Sequence, residues 1–209
     1  MKTIHNSHSL QDWTRYLFPD EITELKRLAN LLPPKPTVIN FGAGNGTSGF
    51  CFLEAREDLR LITIDIQDKP SPFGCLAAER QHLKAAGYWD TRKISHIHAS
   101  SDAIGFAWIT QLKRAKVDLV FVDGGHISPQ PELDITSWLS NIKPGGIMAV
   151  HDYQKGEVFQ KPQPDNVPHP MPWLDVDKAV EELLIPHYEQ LGLVDSLISF
   201  RIGDAPIEA

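Results

Sequence analysis

The chain has 209 residues, 42% of them hydrophobic and 22% charged, with a formal net charge of −7 and an isoelectric point near 5.7. That length supports one sizeable core and is short for two, and the acidic balance argues against a broad nucleic-acid or membrane-surface footprint. No apolar run approaches the roughly 18 residues that span a bilayer, no signal-like leader opens the chain, and Cys51 and Cys75 lack metal or redox spacing, so the expectation is a soluble, cytoplasmic protein that acts on a small molecule.

Residues 1–18 are mixed in character, with Trp13, Tyr16, Leu17 and Phe18 forming one apolar cluster able to dock as a short helix. A longer helix is expected from Pro19, with Asp20 and Glu21 placed at the positive end of its dipole. Ile22, Leu25, Leu28, Ala29 and Leu32 recur at helical spacing and give it one inward face. Pro33, Pro34 and Pro36 end it. It reads as a cover for the body, or as one wall of a substrate pocket.

Val38-Ile39-Asn40-Phe41 is a short apolar run that breaks into Gly42-Ala43-Gly44-Asn45-Gly46-Thr47-Ser48-Gly49. This is the pattern of a buried parallel strand feeding a helix, here about Thr47 to Asp58, through a tight turn. Glycines at alternate positions allow positive φ and close approach of the backbone to a ligand, and the free amides of the helix start face that ligand. Gly44-x-Gly46-x-x-Gly49 alone also satisfies a dinucleotide pattern, but the glycine at the strand end is Gly42, and Gly42, Gly44 and Gly46 fit G-x-G-x-G better. A glycine-rich turn with no ligand is the plain alternative. The second strand, Leu59 to Asp65, ends in an acid that either accepts hydrogen bonds from ribose hydroxyls or serves as a cap.

A proline-containing loop, 69–73, leads to a helix through Ala77 to Ala86 with Gly87 as its C-cap. Ile94 to Ala99 reads as the third strand and Asp102 to Arg114 as the next helix, capped by Ser100, Ser101 or Asp102. Those polar groups either touch an adenine edge or merely cap the helix. Val117 to Val122 is the fourth strand, followed by Asp123-Gly124-Gly125-His126. A helix from Pro129 to Ile142, with Leu133, Ile135, Trp138, Leu139 and Ile142 inward, leads through Lys143-Pro144-Gly145-Gly146 to a fifth strand, Ile147 to Val150, which ends in His151-Asp152.

Residues 153–172 carry Pro162, Pro164, Pro168, Pro170 and Pro172 and read as a lid or a disordered loop. A helix from Asp175 to Ile185 follows, and a hairpin of Leu191 to Val194 with Leu197 to Ile202 closes one sheet edge. Parallel strands alternating with helices make a doubly wound α/β sheet, about seven strands once the antiparallel hairpin is included. Ligands in such sheets bind beyond the carboxyl ends of the strands, the edge where Gly42 to Gly46, Asp65, Asp123, His126, His151 and Asp152 all fall.

Taken together, Val38 to Gly46, Asp65, Phe121 to His126, Leu139 with Lys143 to Gly146, and His151-Asp152-Tyr153 resemble the class I S-adenosylmethionine-dependent methyltransferases. The resemblance is to the group with D-G-x-H after the fourth strand and H-D or E-D after the fifth, which includes small-molecule O-methyltransferases and cephalosporin-hydroxylase-like proteins. It covers roughly residues 36–202 and implies a Rossmann-like, mostly parallel sheet with an antiparallel C-terminal hairpin. With the preceding readings, the chain divides into a helical cap at 1–35 and a cofactor-binding domain at 36–209, with a proline-rich lid at 153–172. Carried onto this chain, the resemblance places Gly42, Ala43 and Gly44, with Asn40, Phe41, Thr47 and Ser48 around them, against the methionine part of the cofactor. Asp65 with Ile66 meets the ribose, Ser100, Ser101 and Asp102 lie beside the adenine, and Asp123 and Gly124 complete the cofactor site. Members commonly carry an acid where this chain has Asn40, whose amide oxygen still accepts from the cofactor's ammonium but brings no charge.

Methyl transfer from a sulfonium is an in-line displacement, so an enzyme chiefly aligns the acceptor and excludes water. An alcohol acceptor must also lose its proton, and His126 is the expected general base, with Asp123 beside it as the second catalytic residue. Metal-dependent relatives bind a divalent ion through an acid after the fourth strand and an acidic pair after the fifth. The resemblance therefore gives Asp123, His151 and Asp152 as ligands, with a histidine where some relatives have a carboxylate. Such a set suits manganese, iron or zinc better than magnesium, and a bound cation lowers the pKa of a coordinated hydroxyl. The plain alternatives are a turn acid, a loop cap and a histidine bonded to backbone.

The expected cofactors are S-adenosylmethionine and a divalent metal such as magnesium or manganese, and the expected acceptor is a small hydroxylated metabolite or a sugar. No nucleic-acid or membrane partner is expected, and a homo-oligomer is left open. Two other readings compete. A nicotinamide-dependent oxidoreductase would need a second mononucleotide half or a Tyr-x-x-x-Lys dyad, and neither is evident. A non-catalytic nucleoside-binding scaffold has Asn40 in its favour and Asp65, Asp123, His126 and Asp152 against it.

Overall fold

Side chains of successive strand residues point to opposite faces, and here both faces of each central strand are apolar, so the sheet must be covered on both sides. A computed structural model of the chain, describing residues 17–69, 75–154 and 174–203, has that architecture. The elements run α1 (Pro19–Asn30), β1 (Thr37–Phe41), α2 (Thr47–Ala55), β2 (Arg60–Asp65), α3 (Leu76–Ala85), β3 (Ile94–His98) and α4 (Ser101–Ala107). They continue β4 (Val117–Val122), α5 (Gln130–Leu139), β5 (Ile142–Val150), α6 (Leu174–Leu183), β6 (Glu189–Val194) and β7 (Leu197–Arg201).

One seven-stranded sheet has the order β3-β2-β1-β4-β5-β7-β6. β1 to β5 pair in parallel, and β7 pairs antiparallel with both β5 and β6. Val38, Leu61, Leu119, Phe121, Ile147 and Ala149 face a core completed by α1, α2 and α3. Ile39, Phe41, Ile62, Ile64, Val120, Val122, Met148 and Val150 face another completed by α4, α5 and α6. Strand order turns back between β1 and β4, which puts the loops after those two strands side by side at the carboxyl edge. No helix among the described residues is long and apolar enough to cross a membrane.

Several boundaries differ from expectation, and the helix ends do so through contacts made outside the helix. α2 ends at Ala55 rather than Asp58, because Arg56 turns extended and its guanidinium donates to the carbonyls of Ala29, Leu32 and Pro33, tying the end of α1 to the body. α4 stops at Ala107 rather than Arg114. The chain there turns around buried Trp108, whose Nε1 donates to the Ala115 carbonyl at 2.8 Å. Ile142 opens β5 instead of closing α5, since Asn141 terminates the helix by donating to the carbonyls of Ser137 and Gly105, both at 2.8 Å. Lys143 to Gly146 therefore lie within β5, with a register shift between Val117 and Leu119 and a Lys143 ammonium 2.8 Å from buried Asp118. β6 starts at Glu189, ahead of the expected Leu191. The 153–172 lid lies outside the described residues from 155 onward, as do Trp13 and Tyr16, whereas Leu17 is buried.

Candidate functional site

The turn after β1 is built from Gly42, Gly44 and Gly46 at φ +77°, +48° and +89°, the left-handed region that glycine alone enters without strain. Gly42 N–H donates to Ile64 O, Gly46 N–H to Ala43 O, and Gly44 O accepts from Cys75 N at 3.0 Å, so the turn is laced to the β2 end and to the start of α3. Asp65 straps it further: one carboxylate oxygen accepts from Ala43 N and the other from Gln67 N, each at 2.7 Å. A side chain added at Gly44 would meet nothing within 4 Å. Thr47, the first residue of α2, is buried, and its hydroxyl has no hydrogen-bond partner among the described residues. The space over Gly44 is open, and the hydroxyl at the start of α2 is buried and unsatisfied among the described residues, two features compatible with a ligand at this turn.

Two other expected cofactor residues, Asn40 and Phe41, face inward. Asn40 is fully buried, its amide oxygen accepting from Ser48 Oγ at 3.0 Å, so that oxygen is already engaged beneath the turn. Phe41 packs on Trp138 with ring centroids 5.3 Å apart, which leaves only its backbone for a ligand. Ile66, just past Asp65, is 65% exposed at the carboxyl edge.

At the start of α4, Ser100 is the N-cap and its hydroxyl donates to Asp102. The Ser101 hydroxyl turns inward and donates to Asp134 of α5, and Trp138 Nε1 donates to Ser101 O at 2.9 Å. Asp134 is fully buried, accepts also from Gln130 at 2.8 Å and lies behind Gly124. Burial lifts its carboxyl to about 6 although Ser101 and Gln130 pull it down. Asp102 is itself raised by burial, but the Ser100 hydroxyl and the Ala103 amide outweigh that and leave it below its ordinary value.

The loops after β4 and β5 bring together Asp123, His126, His151 and Asp152. One donor atom each from Asp123, His126 and Asp152 lies within 4.8 Å of the others, a spacing fit for a metal ion. His126 Nε2 stands 2.8 Å from Asp152 and 3.8 Å from Asp123. Burial lowers the His126 pKa, but hydrogen bonding to Asp123 and Asp152 outweighs it and carries the ring up to about 9. His151 Nδ1 lies 3.3 Å from both Asp123 and Asp152; burial lowers this ring's pKa, but the charges of Asp152, Glu21 and Asp123 outweigh it and hold it well above its ordinary value. The carboxylate of Asp152 is raised by burial, yet the two histidines hold it well below the ordinary range. Its backbone sits at φ +61°, a left-handed turn that swings the side chain back to the cluster. Ile127, 70% exposed, offers an apolar surface beside it.

Sequence reasoning missed three of these positions. Glu21, expected only to favour the α1 dipole, is fully buried against His151, and Ser196 of the β6–β7 turn joins it. Asp134 escaped notice although it shares helical spacing with inward Pro131, Ile135 and Trp138, a signal that a buried acid was present.

The methyltransferase-domain family matches residues 39–153, from β1 to just past Asp152. No curated protein matches the chain. Among solved structures, the tomaymycin-synthesis O-methyltransferase TomG of Streptomyces achromogenes, in complex with SAM, superposes with a TM-score of 0.66 at 18% identity, over 96% of this chain and 92% of that one. The SAH-bound methyltransferase PaMTH1 of Podospora anserina gives 0.63 at 21% identity, over 93% and 86%. The N-methyltransferase NodS of Bradyrhizobium japonicum gives 0.55 at 15% identity, over 88% and 96%. At such identities the likeness is one of fold, and the same fold serves both oxygen and nitrogen acceptors.

Proposed function

The chain belongs to the methyltransferase-domain family, and we propose that it moves the methyl group of S-adenosylmethionine to a hydroxyl of a small molecule. One observation carries this reading: the Gly42 turn lies directly against the Asp123 backbone, so a cradle fit for a cofactor and a cluster fit for proton and cation chemistry share one edge of the sheet. An arrangement of acid and imidazole at the methyl end favours an acceptor whose proton must be removed, hence oxygen.

In this reading the amides at the start of α2 and the Gly42–Gly44 backbone receive the amino-acid part of the cofactor, and the orphan Thr47 hydroxyl finds its partner there. Asp65, pinned by two backbone amides, meets the ribose. Ile66 and the Ser100–Asp102 turn flank the base. The acceptor lies over Ile127, with its hydroxyl at Asp123 and His126. The acceptor oxygen bonds to the methyl carbon as the carbon–sulfur bond breaks, S-adenosylhomocysteine leaves, and the hydroxyl proton passes to His126.

That last assignment meets an obstacle. With Asp123 and Asp152 beside it, His126 is carried up to about 9 and is already protonated at neutral pH. The carboxylates of Asp123 and Asp152, which with His126 form the one cluster with ligand spacing among the described residues, fit a divalent ion held between them. Such an ion would neutralise the carboxylates and acidify the acceptor hydroxyl. With those charges engaged, His126 returns toward the ordinary imidazole range and can accept a proton. Manganese is the ion to try first. The test is transfer of labelled methyl from S-adenosylmethionine to a panel of phenols, catechols and sugars with manganese present. Label in a hydroxylated acceptor, lost on His126→Ala, supports the reading; label in amines alone overturns it.

A further inference from the structure

Two imidazoles border the same pair of carboxylates, and one cannot be both ligand and base. The surroundings of His151 tell them apart. Its Nε2 lies 3.2 Å from Glu21 Oε2 and 3.3 Å from Ser196 Oγ. Glu21 is fully buried, and its carboxylate also accepts from Phe18 N at 2.8 Å, Ser196 N at 2.9 Å and Ser196 Oγ at 2.7 Å. An ionised carboxylate only accepts, and the single Ser196 hydroxyl proton is spent on Glu21. Both neighbours of Nε2 are therefore acceptors, so Nε2 must carry the ring proton. That leaves Nδ1 turned toward Asp123 and Asp152, 3.3 Å from each. Against the effect of burial, the surrounding carboxylates hold the ring well above its ordinary value, so in the cation-free protein a proton on Nδ1 faces Asp123 and Asp152, and a divalent ion seated between them would take that proton's place.

We infer that Glu21 is a positioning residue which, braced by Ser196 and Phe18, fixes the His151 ring with Nε2–H outward and so delivers Nδ1 as the imidazole ligand of the cation site, leaving His126 as the base. The inference rests on the divalent-ion reading above. It has the form of the carboxylate–histidine pairs that orient metal-bound imidazoles elsewhere. It also gives a task to α1, which brings Glu21 across from the start of the chain, and to the β6–β7 turn, which brings Ser196 from its end. Neither segment carries another group that touches the cluster among the interactions described.

The test is manganese binding followed by electron paramagnetic resonance, on the full chain, without cofactor or acceptor. Glu21→Gln keeps the size and one acceptor but removes the charge, and should weaken manganese binding about tenfold or more. His151→Ala should weaken it likewise, and Glu21→Gln added to His151→Ala should change nothing further. His126→Ala should hold manganese within about twofold while losing turnover. Should the substitutions at 21 unfold the protein, zinc titration of the wild type gives a second reading by long-range proton–nitrogen spectra. His151 Nε2 should keep its proton while Nδ1 carries none.

Loss of manganese binding in His126→Ala with retention in Glu21→Gln and His151→Ala would reverse the assignment. Independent, additive losses at 21 and 151 would show that Glu21 acts otherwise than through His151. Failure of the wild type to bind manganese also overturns the inference. Titration of the same samples with S-adenosylhomocysteine separates that failure from failure of the methyltransferase reading.

Discussion

Gly42 and Asp123 meet backbone to backbone: a Cβ built on Gly42 would overlap the Asp123 carbonyl oxygen, and Gly42 holds φ at +77°. The turn that receives a ligand and the loop that carries the chemistry are thus fixed to each other without any side chain between them. Gly42→Ala should lower stability by at least about 2 kcal/mol, since strained φ and steric overlap add. Gly44→Ala, at φ +48° with no atom within 4 Å, should cost only about 1 kcal/mol. Yet Gly44→Ala should lose most S-adenosylhomocysteine binding, because the space it fills is the ligand's. Denaturant unfolding and ligand titration of the two variants check the contrast; equal stability losses would contradict it.

Asp65 and His126 should fail in different ways. Asp65→Ala removes acceptors for Ala43 N and Gln67 N together with the ribose contact. Cofactor affinity should drop by about tenfold or more, consistent with the roughly 1.5–3 kcal/mol typical of a hydrogen bond to a charged group. His126→Ala should keep cofactor affinity and abolish turnover. Binding isotherms and single-turnover rates on both variants decide it; matching affinity losses would remove the division of roles.

Asp134 gives a pH signature. Its folded-state carboxyl stands at about 6 against an ordinary 3.8, because burial dominates. A raised carboxyl contributes stability that is complete below about pH 3.8 and lost as pH rises through about 6, so at neutral pH this buried charge weakens the fold. Asp134→Asn keeps an oxygen to accept from Ser101 and Gln130 and removes the charge. Its melting temperature should exceed the wild type's at neutral pH and lose that advantage in acid; a gap that does not vary with pH would refute the assignment.

Much of this was legible from the chain because the signals were local. Short apolar runs that break into turn or acidic residues specify β1, β2 and β4 and the edge where Gly42, Asp65 and Asp123 emerge. Helix ends were less legible: Trp108 and Asn141 end or redirect their segments through contacts with Ala115 and Gly105, which no local pattern announces. The role of Glu21 was invisible for the same reason in stronger form. Its partners His151 and Ser196 lie 130 and 175 residues away in sequence, and in the chain it looks like any acid in a first helical turn.

His126 sets a second pH dependence, of the cation-free protein. Its folded-state pKa is carried from 6.5 to about 9 by Asp123 and Asp152 against the effect of burial. The stabilisation from charged His126 is therefore complete below about pH 6.5 and lost as pH rises through about 9. Thermal melts of chelator-treated protein should fall across that interval, and His126→Asn should flatten the fall. Manganese binding should strengthen over the same interval, because the ion competes with the protons held by the cluster. Affinity that is level or falls with pH would count against a cation at this cluster.

Everything proposed for this edge of the sheet depends on its holding S-adenosylmethionine. The most direct test is calorimetric titration of the purified protein with S-adenosylhomocysteine and, separately, with NAD, each with and without manganese. Saturable, one-to-one binding of S-adenosylhomocysteine and none of NAD is the expected result. Binding of NAD in preference, or of neither compound, would contradict it.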